Sequence, residues 1–213
     1  MSMLCKLSDV KILLGINSEE TSRDDKLTLF IQQASSYIEG YIGYSLARKE
    51  YVDELHSVNT RQLLQLNHFP IQQVFEVKAN GVEVTDYKVL PEYARWGSLY
   101  RGYGWNGNVF TRGFTHDVVS GAWEIVVNYT AGYYLPNDEN YQEGAEGSLP
   151  ADIVSVCLNL VVMKYNFDKL RAVGIKSHSE GHISDSYSDE STAIGLSESA
   201  KKLLDKYCYY GVA

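Results

Sequence analysis

The stretch RQLLQLNHFPIQQVFEVKANGVEVTDYKV, Arg61 to Val89, decides the fold class. It holds short β-prone runs on either side of Asn80-Gly81, a dipeptide suited to a tight hairpin because both positions accept a positive φ. The next strand candidate is WEIVVNYTAGY, read as a strand from Trp123 to Thr130 that ends at Gly132. No helical pattern separates these runs, so the strands are expected to pair as antiparallel neighbours and not through helical crossovers. Between them lies ARWGSLYRGYGWNGNVFTRG, rich in glycine and aromatics, which reads as a long hairpin or loop of the same antiparallel region.

Helical segments flank this middle. LSDVKILLGI, Leu7 to Ile16, forms a short helix that Ser8 can cap and Gly15 can end. Ser22 with Asp25 has the spacing of a capping box before a long helix over 23–41. There Leu27, Phe30, Ile31, Ala34, Ile38 and Tyr41 recur at helical spacing, and Gly40 and Gly43 mark the end. After the polar stretch LPNDENYQEGAEGSLP, Pro150 suits the first position of a second long helix over 151–170. Its buried stripe is Ile153, Val156, Cys157, Leu160, Val161, Lys164 and Tyr165. SESAKKLLDKYCYYG forms the last helix, with Ser197 as cap, Leu203, Leu204 and Tyr207 inward and Gly211 as stop. The two long helices pack together, since neither can bury its stripe alone.

The expected fold class is therefore α+β. A helical core of two long and two shorter helices carries an inserted antiparallel β-rich region. Residues 1–47 and 135–213 supply the two parts of the core, and 48–134 the insertion. A Ser-rich arm occupies 174–191 within the second part.

Composition narrows the function. The chain has 213 residues, 45% of them hydrophobic, enough for a real core. Its formal net charge is -8, and no basic cluster suggests tight nucleic-acid binding. Cys5, Cys157 and Cys208 lie far apart without metal-ligand spacing, as expected in a reducing compartment. No leader pattern or membrane-spanning run is read, so a soluble protein is expected.

Two stretches could carry chemistry or contacts. The arm GIKSHSEGHISDSYSDES places His178 and His182 four apart, the spacing of two zinc ligands on a helix. Gly181 and the surrounding serines oppose a helix there, and Asp185, Asp189 and Glu190 lack the rigid pairing that acid–base work needs. Extended, the same stretch puts Ile183 and Tyr187 on one side with Asp185 between them. Such a strand can add to a neighbour's sheet edge, with plain disorder as the other reading. In the aromatic stretch, Trp96, Tyr100, Tyr103 and Trp105 stand among Arg95, Arg101 and Arg112. They suit a protein interface, packing within their own domain, or stacking on a ligand. His56, His68 and His116 are scattered and read as surface or half-buried residues. No nucleophile elbow and no phosphate loop is present.

The order of these signatures resembles the head–tail connector (adaptor, or head-completion) family of tailed bacteriophages and prophages. The resemblance runs from LSDVKILLGI and DDKLTLFIQQASSYIEGYIGYSL through LLQLNHFPIQQVFEVKANGVEV and WEIVVNYTAGYYLPND. It continues in LPADIVSVCLNLVVMKY, GIKSHSEGHISDSYS and AKKLLDKYCYYGV. It implies a structural subunit, not an enzyme, with no cofactor, no metal and no membrane. Such subunits form a homo-oligomeric ring, commonly twelve-fold, beneath the portal protein. The ring extends the DNA channel, passes double-stranded DNA without sequence-specific binding, and docks the tail or the next neck-completion protein. The location implied is the virion neck, and the host cytoplasm during assembly. The arm residues Ile183, Asp185 and Tyr187, and the loop residues Trp96, Tyr100, Tyr103 and Trp105, become the expected contact sites. Two alternatives remain: a small hydrolase centred on His178, His182 and Asp185, or a monomeric binding module using the Trp96/Trp105 loop.

Overall fold

The computed structural model describes residues 2–57, 61–102, 104–105, 124–172, 177–180, 183–186 and 195–208. In chain order the elements are α1 (Leu7–Leu14), α2 (Asp24–Ile42), β1 (Lys49–Ser57), β2 (Leu63–Gln65), β3 (Ile71–Ala79) and β4 (Val82–Glu83). Then follow α3 (Pro91–Ala94), β5 (Ser98–Tyr100), β6 (Glu124–Ala131), α4 (Ala151–Ala172), β7 (Ser177–Glu180), β8 (Ile183–Ser186) and α5 (Glu198–Leu204). The fold is α+β, as the alternation of patterns requires. The chain divides into two compact units, Met1–Leu46 with Tyr134–Ala213, and Ala47–Tyr133.

The first unit is built on α2 and α4. Leu27, Ile31, Ala34 and Ile38 of α2 are buried, as are Ile153, Val156, Cys157 and Val161 of α4. The two helices pack antiparallel: Arg23, ahead of α2, donates to Tyr165 Oη late in α4 at 2.7 Å. Lys26 pairs with Asp168 and Lys164 with Gln33 along the same seam. The segment before α1 is pinned to both helices. Leu4 N–H donates to Ser35 Oγ at 3.0 Å, and Cys5 and Cys157 bring their Sγ atoms to 3.5 Å. The contact with Cys157 and burial push the Cys5 thiol well up, so it stays neutral.

The helix ends correct two expectations. Ser8 does not cap α1. It is the second residue of the helix, and its hydroxyl donates to Asp9 at 3.0 Å. Ser22 does not form a capping box. Its hydroxyl donates to Glu20 at 3.2 Å, and Arg23 holds the N-cap position of α2 without a side-chain bond. Lys11 organises the turn between α1 and α2. Its buried ammonium lies 2.6 Å from Asp24 Oδ1 and donates to the carbonyls of Ser18 and Glu20 at 3.2 and 2.8 Å. A lysine can be buried only when its charge is paired and its donors are used. Asp24 and Asp25 also complement the positive end of the α2 dipole. The Gly15, Gly43 and Ser197 ends match the sequence, whereas Pro150 stands one residue ahead of α4, its carbonyl accepting the Val154 N–H at 3.3 Å. Gly15 and Gly43 take φ of 65° and 92°, and Ser197 accepts the Ala200 N–H at 3.2 Å. In α5, Leu204 is buried and Leu203 and Tyr207 are half-buried. The helix ends at Leu204, and Gly211 lies outside the described residues.

The second unit holds a four-stranded antiparallel sheet of order β1-β6-β3-β4, and a β2–β5 ribbon. Alternate residues of β6, Ile125, Val127, Tyr129 and Ala131, are buried, so one face of the sheet carries the core. Asn80 and Gly81, with φ of 50° and 78°, make the β3–β4 turn and pair Ala79 with Val82. Gly132 closes β6 with φ of 94°. A Cβ there would lie 2.5 Å from the Ala47 carbonyl oxygen, so only glycine fits. Among the described residues, no helix is long and apolar enough to cross a membrane.

Candidate assembly surfaces

The aromatic stretch turns largely inward. Trp105 is 2% exposed, and its indole N–H donates to the carbonyls of Gln62 and Leu99 at 3.1 and 3.2 Å. It belongs to one core with Leu64, Leu66, Leu99, Val127 and Tyr129. Arg101 lies over its ring at 5.7 Å and pairs with Asp86 at 2.8 Å. Trp105 thus follows the intramolecular reading and presents no ring to a ligand. Trp96 is half-buried, tilted against Phe69 at 6.4 Å with Arg95 over it at 5.1 Å. Its carbonyl accepts the Gln65 amide at 2.5 Å. Tyr100, on β5, is half-buried and stacks on Tyr93 at 6.3 Å. Tyr103 lies outside the described residues.

The Ser-rich arm contains a hairpin. β7 and β8 pair antiparallel, Ser177 with Ser186, His178 with Asp185, Ser179 with Ser184 and Glu180 with Ile183. His178 is therefore on a strand, which removes the helical spacing that two zinc ligands four apart would need. A lone extended strand leaves its backbone groups unpaired. The hairpin satisfies half of them internally and keeps two edges. His182 and Tyr187 lie outside the described residues. Among the described residues, no group of three or more His, Cys, Asp or Glu side chains could hold a metal ion.

A concentrated polar centre lies elsewhere, on β1, at a place the sequence did not single out. Asp53, with φ of 54°, makes a bulge between Tyr51 and Glu54. The bulge re-aims Glu54 inward. Its carboxylate accepts the Tyr129 hydroxyl at 2.8 and 2.9 Å and the Asn67 N–H at 3.1 Å. His56 Nε2 lies 2.7 Å away and His68 Nε2 3.5 Å away, with Tyr51 stacked on His68 at 3.8 Å. Burial and the bond to Glu54 push the Tyr129 hydroxyl well above its usual range. Every one of these groups is turned on the unit's own residues, so the arrangement ties β1, β6 and the 67–68 turn together. The only sequence signal was the alternation of Glu54, His56 and Tyr129 with apolar residues on strands. A bulge cannot be read from that.

Three comparisons bear on identity. The family model described as head completion protein matches residues 3–207. No curated protein sequence matches the chain. Among solved structures, a chain described as "Neck of empty GTA particle computed with C6 symmetry" superposes with a TM-score of 0.51 at 13% identity. The match covers 100% of this chain and 95% of that one, and shows a shared fold.

Proposed function

Because the chain belongs to the head completion protein family, we propose that it is a structural subunit of the phage head–tail connector, placed at the virion neck. Its role is to join surfaces, not to transform a substrate. The observation that carries this reading is the family match over 3–207, which takes in both compact units.

The finer assignments extend this reading. Copies form a homo-oligomeric ring on the portal protein, twelve-fold in the assembled particle. The ring continues the DNA channel and receives the tail or the next neck-completion protein. A net charge of -8 suits a conduit, because like charges lower adhesion to a sliding duplex. Ile183, Asp185 and Tyr187 of the arm form one contact with a neighbour or the portal. Trp96, Tyr100 and Tyr103 form another. Trp105 supports that second contact from the core beneath. Assembly takes place in the host cytoplasm.

The test is negative-stain electron microscopy and light scattering of the chain mixed with its portal. Rings seated on the portal are expected. Deletion of residues 177–191 is expected to leave the circular dichroism spectrum unchanged and to reduce ring formation. A chain that never associates with the portal contradicts the connector role. A deleted chain that assembles normally contradicts only the arm contact.

A further inference from the structure

Cys5 and Cys157 are 152 positions apart in the chain, yet their sulfurs meet at 3.5 Å inside the helical unit. Both side chains are fully buried, and both thiols are reduced. Cys157 lies on the inner face of α4. Cys5 comes from the strap 2–6 ahead of α1, which belongs to no helix or strand. The strap is held by Leu4 N–H on Ser35 Oγ, by the Ser2 hydroxyl on Glu39 at 2.6 Å, and by the burial of Leu4 and Cys5. Ser35 Oγ also lies 3.8 Å from Cys157 Sγ, so strap, α2 and α4 meet at the two sulfurs.

A disulfide has an S–S distance of about 2.0 Å, so the sulfurs must close by about 1.5 Å. That is within the reach of side-chain rotation, and the two sulfurs already touch. Access needs the strap to lift. It carries no sheet pairing and no helical ladder, so it can open locally while α2 and α4 stay folded. Cysteines serving only as small apolar fillers have no need to touch each other.

We propose that Cys5 and Cys157 are a redox pair, converted by a small-molecule disulfide into a bond that fastens the strap to α4. Cys157 gives up its proton and attacks one sulfur of the small disulfide, releasing the first small thiol and leaving a mixed disulfide. Cys5 then loses its proton and attacks the Cys157 sulfur, releasing the second small thiol. The protein gives up two electrons and two protons, and the small disulfide takes them up as two thiols. The setting rests on the connector reading, in which a finished particle leaves a reducing cytoplasm for an oxidising medium. The chemistry of the pair stands without it.

The test incubates the full chain with oxidised glutathione, blocks the remaining thiols, and maps the peptides by mass spectrometry. A Cys5–Cys157 link is expected in the native chain, with the intact mass lower by two hydrogens. Because the link ties distant segments, the melting temperature is expected to rise by about 5 °C or more and to return on reduction. Cys5→Ser is expected to show no rise. Should that variant fail to fold, the parent chain with and without reductant carries the comparison alone. Two intact thiols after prolonged exposure, glutathione retained on either sulfur, a link formed only in denaturant, or a link that leaves the melting temperature unchanged or lower each overturn the proposal. Failure of the parent chain to join the portal overturns the connector reading and leaves the redox pair standing.

Discussion

The two units build their cores from different residues. The strand unit turns tryptophan, tyrosine, histidine and glutamate inward, around Trp105 and Glu54. The helical unit builds its core mainly from aliphatic side chains, with Phe30, Ser35, the Cys5–Cys157 contact and the paired Lys11 among them. Aromatic richness in a sequence therefore does not mark a binding face by itself. A tryptophan whose N–H finds two backbone carbonyls is satisfied where it is.

That contrast can be broken most sharply at Trp105. Trp105→Ala is expected to cost about 4 kcal/mol, the range for emptying a core tryptophan site. Hydrogen exchange should show protection lost across 47–133 and kept in α2 and α4. Equal loss in both units would mean that the core of the strand unit is not its own. Because Trp105 is buried, this change probes folding and not a ligand-binding loop.

Glu54→Ala comes next. Removing a largely buried carboxylate takes away the acceptor of the Tyr129 hydroxyl and the partner of His56, a loss of about 3 kcal/mol by denaturant unfolding. Glu54→Gln, which keeps the shape and one acceptor, is expected to lose less. In the helical unit, Lys11→Met keeps the stem and deletes the charge. A loss of about 2 kcal/mol is expected from the stranded carbonyls and Asp24. A neutral result would show that the Lys11 junction is decorative.

Tyr129 gives a pH test of the same centre. Its folded pKa lies above the ordinary value of 10.0, so the folded state holds the proton more tightly than the unfolded chain. Its contribution is complete below pH 10.0 and falls as pH rises above it. Tyr129→Phe should flatten the decline in melting temperature above that pH. An unchanged slope would assign the decline to other tyrosines. The smallest effect is expected at Ser197→Ala, about 1 kcal/mol from loss of one helix cap.

These sites also show what a sequence can and cannot reveal. The stripes of α2 and α4, the Asn80-Gly81 turn, Gly15, Gly43, Gly132 and the Ser197 cap were legible, because each rests on local geometry and spacing. The Ser8 and Ser22 caps were misread because the helices start elsewhere: Ser8 already lies inside α1, whose N-cap is Lys6, and Ser22 lies one residue ahead of Arg23, the N-cap of α2. Glu54 was invisible for another reason. Its inward aim depends on a bulge at Asp53 and on partners from β6 and the 67–68 turn. Of the arm, extended character was legible from the alternation around Ile183. The pairing of β7 with β8 was not, since polar strands carry no core face to set a register.

Electron cryomicroscopy of the chain assembled on its portal tests the central claim most directly. The account predicts a closed ring of identical copies around an open axial channel. Separate single copies on the portal, with no contact between them and no enclosed channel, would contradict it.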